Sequence, residues 1–303
     1  MSAVTLNTGR RSRRFRVPWR GLVLYSISLI VAIWIIVPFY WIVVSSFMHE
    51  VDAIAVPPQF IPTRVTLDNY AAFFLPDRLG ANQFVGQGAA EDAPRALLNS
   101  TVVAVCIVVI NVIVGSMAGY AFARLKFRGN VGLLIFYLGS RMVPPLAVMI
   151  ALYSLIASIG LLDSIGALVL TYTTFTVPYS IWILQSYFRT IPVELEDAAR
   201  VDGCNWLLMM LRVFLPVASP ALAATALFAF LSSWGEFLYA LIFTTSMNSK
   251  TMPIVVSQFV TDINTSPVLL SASGVLAVVP PLVLALIFQK LIITGIAAGA
   301  VKG

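Results

Sequence analysis

Six long apolar runs alternate with polar stretches along the chain. The first, 21–47, follows a basic and irregular opening, 1–20. A long polar segment, 48–95, comes next; it carries Pro57, Pro58 and Pro62, and over 75–93 it is rich in Gly, Ala and acidic residues, which reads as an insertion or loop. The remaining runs lie at 97–122, 131–157, 165–188, 221–245 and 274–293, and a short tail, 294–303, closes the sequence. About 20 consecutive apolar residues suffice for a helix to cross a bilayer, and only helices and closed barrels satisfy their backbone groups there. The pattern predicts an all-α, polytopic membrane protein with six transmembrane helices, its core at 96–293. Pro144 and Pro145 should kink or break the third span, and Pro178 interrupts the fourth. Gly115 and Gly119, four residues apart in the second, permit close helix packing.

Composition supports this reading. The chain has 303 residues, 59% hydrophobic and 11% charged, against roughly 45–50% and about 25% in soluble domains. The formal charge of +6 is unevenly placed: with six spans, 14 of the 19 Lys and Arg fall on the side of both termini, four on the other side, and Arg141 inside a span. The positive-inside rule then puts both termini in the cytoplasm. The arginines of 1–20 also fit a nucleic-acid-binding arm; a juxtamembrane tail is the preferred reading, with no nucleic-acid partner. Cys106 and Cys204 make no disulfide framework and are expected to be unpaired. His49 stands alone, so no metal site is expected. No Gly-rich phosphate loop of the Gly-x-x-x-x-Gly-Lys-Ser/Thr type occurs. The chain is therefore expected to be no enzyme and to bind no cofactor, any ATP hydrolysis belonging to a separate chain.

The most polar run of the second half lies between the fourth and fifth spans, within a loop at 189–216. Pro192 sits where a first helical turn would start. Glu194, Glu196 and Asp197 follow in that turn, where negative charge suits the helix dipole. Gly203 sits where a helix would stop through a left-handed residue. A short helix from Pro192 to about Asp202 is predicted, with a second helix from about Asn205. Ala198 and Ala199 let another surface approach closely, and the acids beside them offer charge-assisted contacts to a basic partner. An ordinary solvated loop is the plainer alternative.

Asp197-Ala198-Ala199, three residues, Gly203, nine residues, then Val213-Phe214-Leu215-Pro216 resembles the "EAA loop" of ABC importer permeases, with Asp for Glu at 197 and Val for Ile at 213. Arg200-Val201-Asp202-Gly203 is typical of the carbohydrate branch, the maltose-permease type. The resemblance spans most of 56–303, including Asp68-Asn69-Tyr70, Ala118 to Arg124, and an ending that runs Phe288-Gln289-Lys290, Gly295, Ala298-Gly299-Ala300-Val301-Lys302-Gly303. It implies a type I ABC importer permease fold and a place in a bacterial cytoplasmic (inner) membrane. It further implies that Glu196, Asp197, Ala198, Ala199, Asp202 and Gly203 form a coupling helix docked on a dimeric cytoplasmic ABC ATPase, which would hold ATP and Mg. Gly299, Val301 and Lys302 would reach toward the same partner. The implied partners also include an extracytoplasmic solute-binding protein and a second permease subunit, expected to be a paralogue.

Ionisable residues inside a membrane usually face a bundle interior or a water-filled cavity. Counting along the spans puts Arg141 near the midplane and Glu236 in the outer half of the fifth. Two readings of this pair stay open. Either they line a sugar path beside Trp234 and Tyr239, or they form a structural ion pair. The hydroxyls of the fourth span suit a polyhydroxylated solute, but bonding to their own backbone or to a neighbouring helix is expected for most. The function expected is that of a transmembrane permease subunit of an ATP-driven importer for a carbohydrate or polyol. An ion-gradient-driven secondary carrier and a non-transport membrane scaffold are the alternatives.

Overall fold

The structure is a computed structural model that describes residues 19–75, 87–260 and 266–300, with the backbone alone given for 20, 87 and 291–300. Every regular element among them is helical. In chain order these are α1 (Trp19–Ser45), α2 (Glu50–Ala53), α3 (Asp68–Phe74), α4 (Gln87–Arg124), α5 (Asn130–Gly139), a 3-10 turn (Ser140–Met142), α6 (Pro145–Ser158), α7 (Ile165–Phe188), α8 (Val193–Val201), α9 (Trp206–Met209), a π turn (Met210–Phe214), α10 (Leu215–Val217), α11 (Ser219–Trp234), α12 (Leu238–Phe243), α13 (Met252–Gln258) and α14 (Pro267–Ala300). Four helices, over Gly21–Ser45, Gly88–Arg124, Ile165–Phe188 and Pro267–Lys290, are long and apolar enough to cross a membrane without interruption. Two sharply bent pairs bring the number to six, if each pair is one span.

The centre of the molecule is the contact of α4 with α7, with α11 packed on both. Its closeness comes from glycine. A Cβ built on Gly119 would stand 3.0 Å from both the Gln185 backbone nitrogen and Leu184 Cβ, and one on Gly115 3.2 Å from Ser180 Cβ. One turn further along α4, Asn111 is fully buried. Its amide donates to Thr176 Oγ1 at 2.9 Å and to the Ile107 carbonyl at 2.8 Å, and its Oδ1 accepts from Ser180 Oγ at 2.6 Å. Such polar contacts between helices in a bilayer are worth about 0.6–2 kcal/mol each. The other hydroxyls of α7 mostly return to their own helix: Thr173 donates to Val169 O at 2.7 Å and Thr174 to Thr171 O at 2.6 Å.

The third apolar run does more than kink. Val143 and Pro144 are extended, with ψ of 125° and 132°. Pro145 opens α6, and the two halves lie 97° apart. A residue before proline is pushed out of the helical region. Two successive prolines therefore hold two successive residues extended. The fifth run also breaks, at Gly235, where Glu236 starts a new helix instead of continuing α11: its carboxylate accepts the backbone N–H groups of Tyr239 at 3.0 Å and Ala240 at 3.1 Å.

Helices also reach beyond the predicted spans. α4 begins at Gln87, inside the stretch expected as a loop, because Ala90, Ala93 and Ala96 pack into a buried cluster with Phe73, Met252, Val255, Phe259 and Leu269. The rest of that expected insertion, 76–86, lies outside the described residues. α14 starts at Pro267 and continues to Ala300, so the backbone expected as a tail from 294 is helical to that point.

At the end of the molecule away from α8, polar side chains tie distant loops together. Asp163 has φ of +58° and donates its N–H to Phe243 O at 2.8 Å. Its carboxylate accepts the N–H groups of Thr245 and Ser246 at 2.8 and 2.9 Å, and the Ser249 hydroxyl. Burial works against its charge, but the bonds from Ser249, Ser246 and Thr245 outweigh that and hold its carboxyl below the usual carboxylate range. Asn99 donates to the Met247 and Lys250 carbonyls at 3.1 and 2.9 Å, and Ser100 Oγ accepts the Met252 N–H at 2.8 Å.

Candidate functional site

The polar run folds as α8, a helix that follows an extended proline and is closed by a Schellman stop. Pro192 is extended, with ψ of 140°, and precedes the first helical residue, Val193. The helix is thus one residue shorter at each end than predicted. Glu194 and Glu196 lie in the first turn. Gly203 has φ of +80°. Its N–H donates to Arg200 O at 3.1 Å and that of Cys204 to Ala199 O at 2.9 Å, the paired bonds of a Schellman stop. Asn205 then caps α9 by accepting the Leu208 N–H at 2.8 Å.

Glu196 does not face outward. It is 5% exposed, and its carboxylate accepts the Tyr120 hydroxyl at 2.9 Å and Arg200 Nη2 at 2.6 Å, with Arg124 Nε 3.5 Å away. Arg124 also donates to Ile191 O and lies over the Phe214 ring. Phe214 packs edge-on against Tyr120 and Phe188, with ring centroids 4.9 and 5.6 Å away. One carboxylate therefore fastens α8 to the last turn of α4, and the π turn supplies the aromatic floor. Removing one partner of such a buried pair costs about 3–5 kcal/mol, because the other charge is left uncompensated. Nearby, the same carboxylate holds the exposed Arg200 guanidinium above its ordinary value.

Of the six residues expected to form the docking face, Glu196 and Ala199 are buried, and Asp197, Ala198, Asp202 and Gly203 are exposed. The burial of Glu196 and Ala199 has one cause. Residues 196 and 199, three apart, lie on one face of a helix, and that face rests on α4 and the π turn. Exposed nearby are apolar residues that the sequence reading passed over: Leu195 and Val201 on α8, the latter 87% exposed, and Trp206 and Leu207 on α9. Their signal was an apolar residue on the solvent side of a polar helix. The exposed side of α8 thus carries apolar residues as well as Asp197 and Asp202. Among the described residues, no group of His, Cys, Asp and Glu could hold a metal ion. Cys106 and Cys204 are both unpaired. Gly299 falls in the last turn of α14, and Val301 and Lys302 lie outside the described residues.

Three of the four residues assigned to a transport path come together around Phe175, which the sequence reading did not single out. The Arg141 guanidinium donates to the Phe175 carbonyl and lies 5.7 Å from the centre of its ring. Tyr239 stacks on the same ring at 5.9 Å, and Glu236 caps the helix that carries Tyr239. Arg141 and Glu236 form no ion pair; the three among the described residues are Arg64–Asp52, Arg124–Glu196 and Arg200–Glu196. Trp234 stands apart. It is 5% exposed, donates its indole N–H to Ala277 O of α14 at 2.9 Å and stacks on Phe230, so it is a packing residue between α11 and α14.

Comparison with known proteins accords with this geometry. Residues 96–297 match the family described as "Binding-protein-dependent transport system inner membrane component". The chain is 32% identical to the trehalose/maltose transport system permease protein MalG of Thermococcus litoralis, over 91% of this chain and 95% of that one. It is 33% identical to the trehalose transport system permease protein SugB of Mycobacterium tuberculosis, over 81% and 85%. Among solved structures, a chain of a bacterial ABC transporter involved in the import of the acidic polysaccharide alginate superposes with a TM-score of 0.72 at 20% identity, covering 94% of this chain and 99% of that one; the fold is shared. The chain is a member of the family of inner membrane components of binding-protein-dependent transport systems.

Proposed function

We propose that this chain is a permease subunit of an ATP-driven importer whose solute is a carbohydrate or polyol handed over by an extracytoplasmic binding protein. ATP and magnesium are bound by a dimeric cytoplasmic ATPase that docks on α8. The observation that carries this reading is the construction of α8. It is a short helix that starts after an extended proline, ends in a Schellman stop and is fastened through Glu196 to α4, with apolar and acidic side chains turned outward. A push on its outer face is transmitted to a membrane helix instead of being absorbed by a loop. The carbohydrate class is supported by the printed functions of the relatives. A cytoplasmic position of α8 and of both termini is supported by the 14 of 19 cations that six spans put on that side.

A second permease subunit, a paralogue in this reading, covers the bent pair α5–α6. That pair buries only Ile156 and exposes Phe136, Met142, Leu146 and Ile150. The solute path then runs past Arg141, Phe175 and Tyr239. An ion-gradient carrier fits less well. It leaves α8 without a task, and Glu236, the acid within the fifth span, is engaged as a helix cap.

The test is to co-express the chain with candidate ATPase and permease partners and measure solute-stimulated ATP hydrolysis in the reconstituted complex. Gly203→Pro cannot adopt the left-handed conformation of the Schellman stop, so it is expected to abolish ATPase association and stimulation while leaving membrane insertion intact. Unchanged stimulation in that variant would defeat the proposal.

A further inference from the structure

Beside α8, where α4 ends, the turn to α5 and the residue after α7 border an open, shallow cleft of about 750 Å³. Its shape is built into the backbone. Gly129 turns the chain with φ of +85°, and the Asn130 amide donates to Phe122 O at 3.1 Å and Leu125 O at 3.3 Å, tying the turn to the carbonyls that end α4. Lys126, Arg128 and Arg189 line the cleft. All three are exposed, and none forms a salt bridge or side-chain hydrogen bond among the described residues. Arg124 also lines it, but its charge is already met by Glu196. No acidic residue is in the lining.

The remaining wall is apolar: Phe122, Leu125 and Phe127, the two rings 5.5 Å apart. Leu125 is 52% exposed and Phe127 39%, directly after a helix apolar enough to cross the membrane. Cations that serve only to orient a membrane protein need no cavity. Here three line one cleft, against an apolar wall that directly follows a helix apolar enough to cross a membrane. That is the division of chemistry within one phospholipid. The volume lies within the roughly 300–1,000 Å³ of small-molecule sites.

We infer that this cleft holds the headgroup of an anionic phospholipid. Lys126, Arg128 and Arg189 surround the phosphate, and Phe122, Leu125 and Phe127 pack against the glycerol and upper acyl carbons. Assigning the lipid to the inner leaflet rests on the orientation proposed above; the binding chemistry does not. Because Arg124 borders the cleft and also grips Glu196, a bound lipid sits against the strut that supports α8.

The experiment uses the full chain with whatever subunits copurify, placed in nanodiscs of phosphatidylcholine containing about one-third phosphatidylglycerol, with retained lipid counted by native mass spectrometry. Each charge near a membrane surface contributes about a five-fold change in affinity for anionic lipid. Selective phosphatidylglycerol retention is therefore expected to fall about five-fold for K126Q, R128Q or R189Q, and to be lost in the triple variant. R212Q removes an exposed cation outside the cleft and should leave retention unchanged. Equal retention in the triple variant and the parent overturns the inference, as does equal retention of phosphatidylcholine. Displacement of the lipid by inorganic phosphate assigns the cleft to a soluble anion and overturns it too. So does a triple variant that keeps its lipid and loses its ATPase, since a protein surface would then occupy the cleft. Retained lipid in a parent complex that carries no ATPase counts against the functional proposal and leaves this inference standing.

Discussion

Glu196 shows how much one side chain's direction changes a reading. In sequence it is one more acid in an acidic turn, suited to an external basic partner. In the structure it is buried against Tyr120, Arg124 and Arg200. Glu196→Gln keeps the shape but leaves the Arg124 charge, half-buried and beside Phe214, without its counter-ion. The expected cost is about 3 kcal/mol, toward the low end for a broken buried pair because Arg200 is exposed to solvent. It should appear as a lower midpoint of thermal unfolding in detergent, together with weaker ATPase retention. Asp197→Asn, on the exposed side of the same helix, should leave the unfolding midpoint within about 0.5 kcal/mol of the parent and alter partner binding alone. If the two variants behave alike, the inward and outward assignment is wrong.

At the scale of elements, the α4–α7 pair sets the distances that everything else follows. Gly119 faces the backbone nitrogen of Gln185 and the Leu184 side chain, whereas Gly115 faces Leu184 Cδ1, the end of a flexible side chain, along with Ser180 Cβ. Gly119→Ala is therefore expected to be the more harmful, costing about 1–3 kcal/mol as overpacking. Gly115→Ala should cost less, and Gly132→Ala, with open space at the Cβ position, should not destabilise at all. Unfolding midpoints of the three variants in one detergent test that order. The broken spans follow the same local logic. The prolines at 144 and 145 forbid helix continuation wherever they stand, so a break was legible in the sequence. Its 97° angle was not, because nothing local fixes how two halves are then packed.

At the scale of the whole molecule, the end away from α8 is held by polar bonds between loops far apart in sequence. Asp163 reaches across 82 to 86 residues to Thr245, Ser246 and Ser249. Its carboxyl is held below the ordinary value despite burial, so it stabilises the fold above its unfolded value, about pH 4, and that contribution is lost as pH falls from there through the folded value. The parent should lose thermal stability on acidification below about pH 4 more steeply than Asp163→Asn. Asn also tolerates the left-handed conformation at this position, so the comparison isolates the charge. Parallel acid profiles for the two proteins would contradict this account of the loop junction.

What the sequence determined by itself is what depends on neighbours along the chain. The apolar runs set an all-helical membrane protein, because a bilayer leaves the backbone few other ways to satisfy its bonds. The spacing from Asp197 to Pro216 marked the helix-and-stop of α8, because a Schellman stop needs only a few consecutive residues with glycine at the left-handed position. Tertiary structure decided what depends on residues far apart. It turned Glu196 and Ala199 inward, placed Trp234 against α14, gathered Arg141 and Tyr239 around Phe175, and brought Arg189 beside Lys126 and Arg128. A helical repeat says which residues share a face, but which face is covered is settled only by the surface that arrives to cover it.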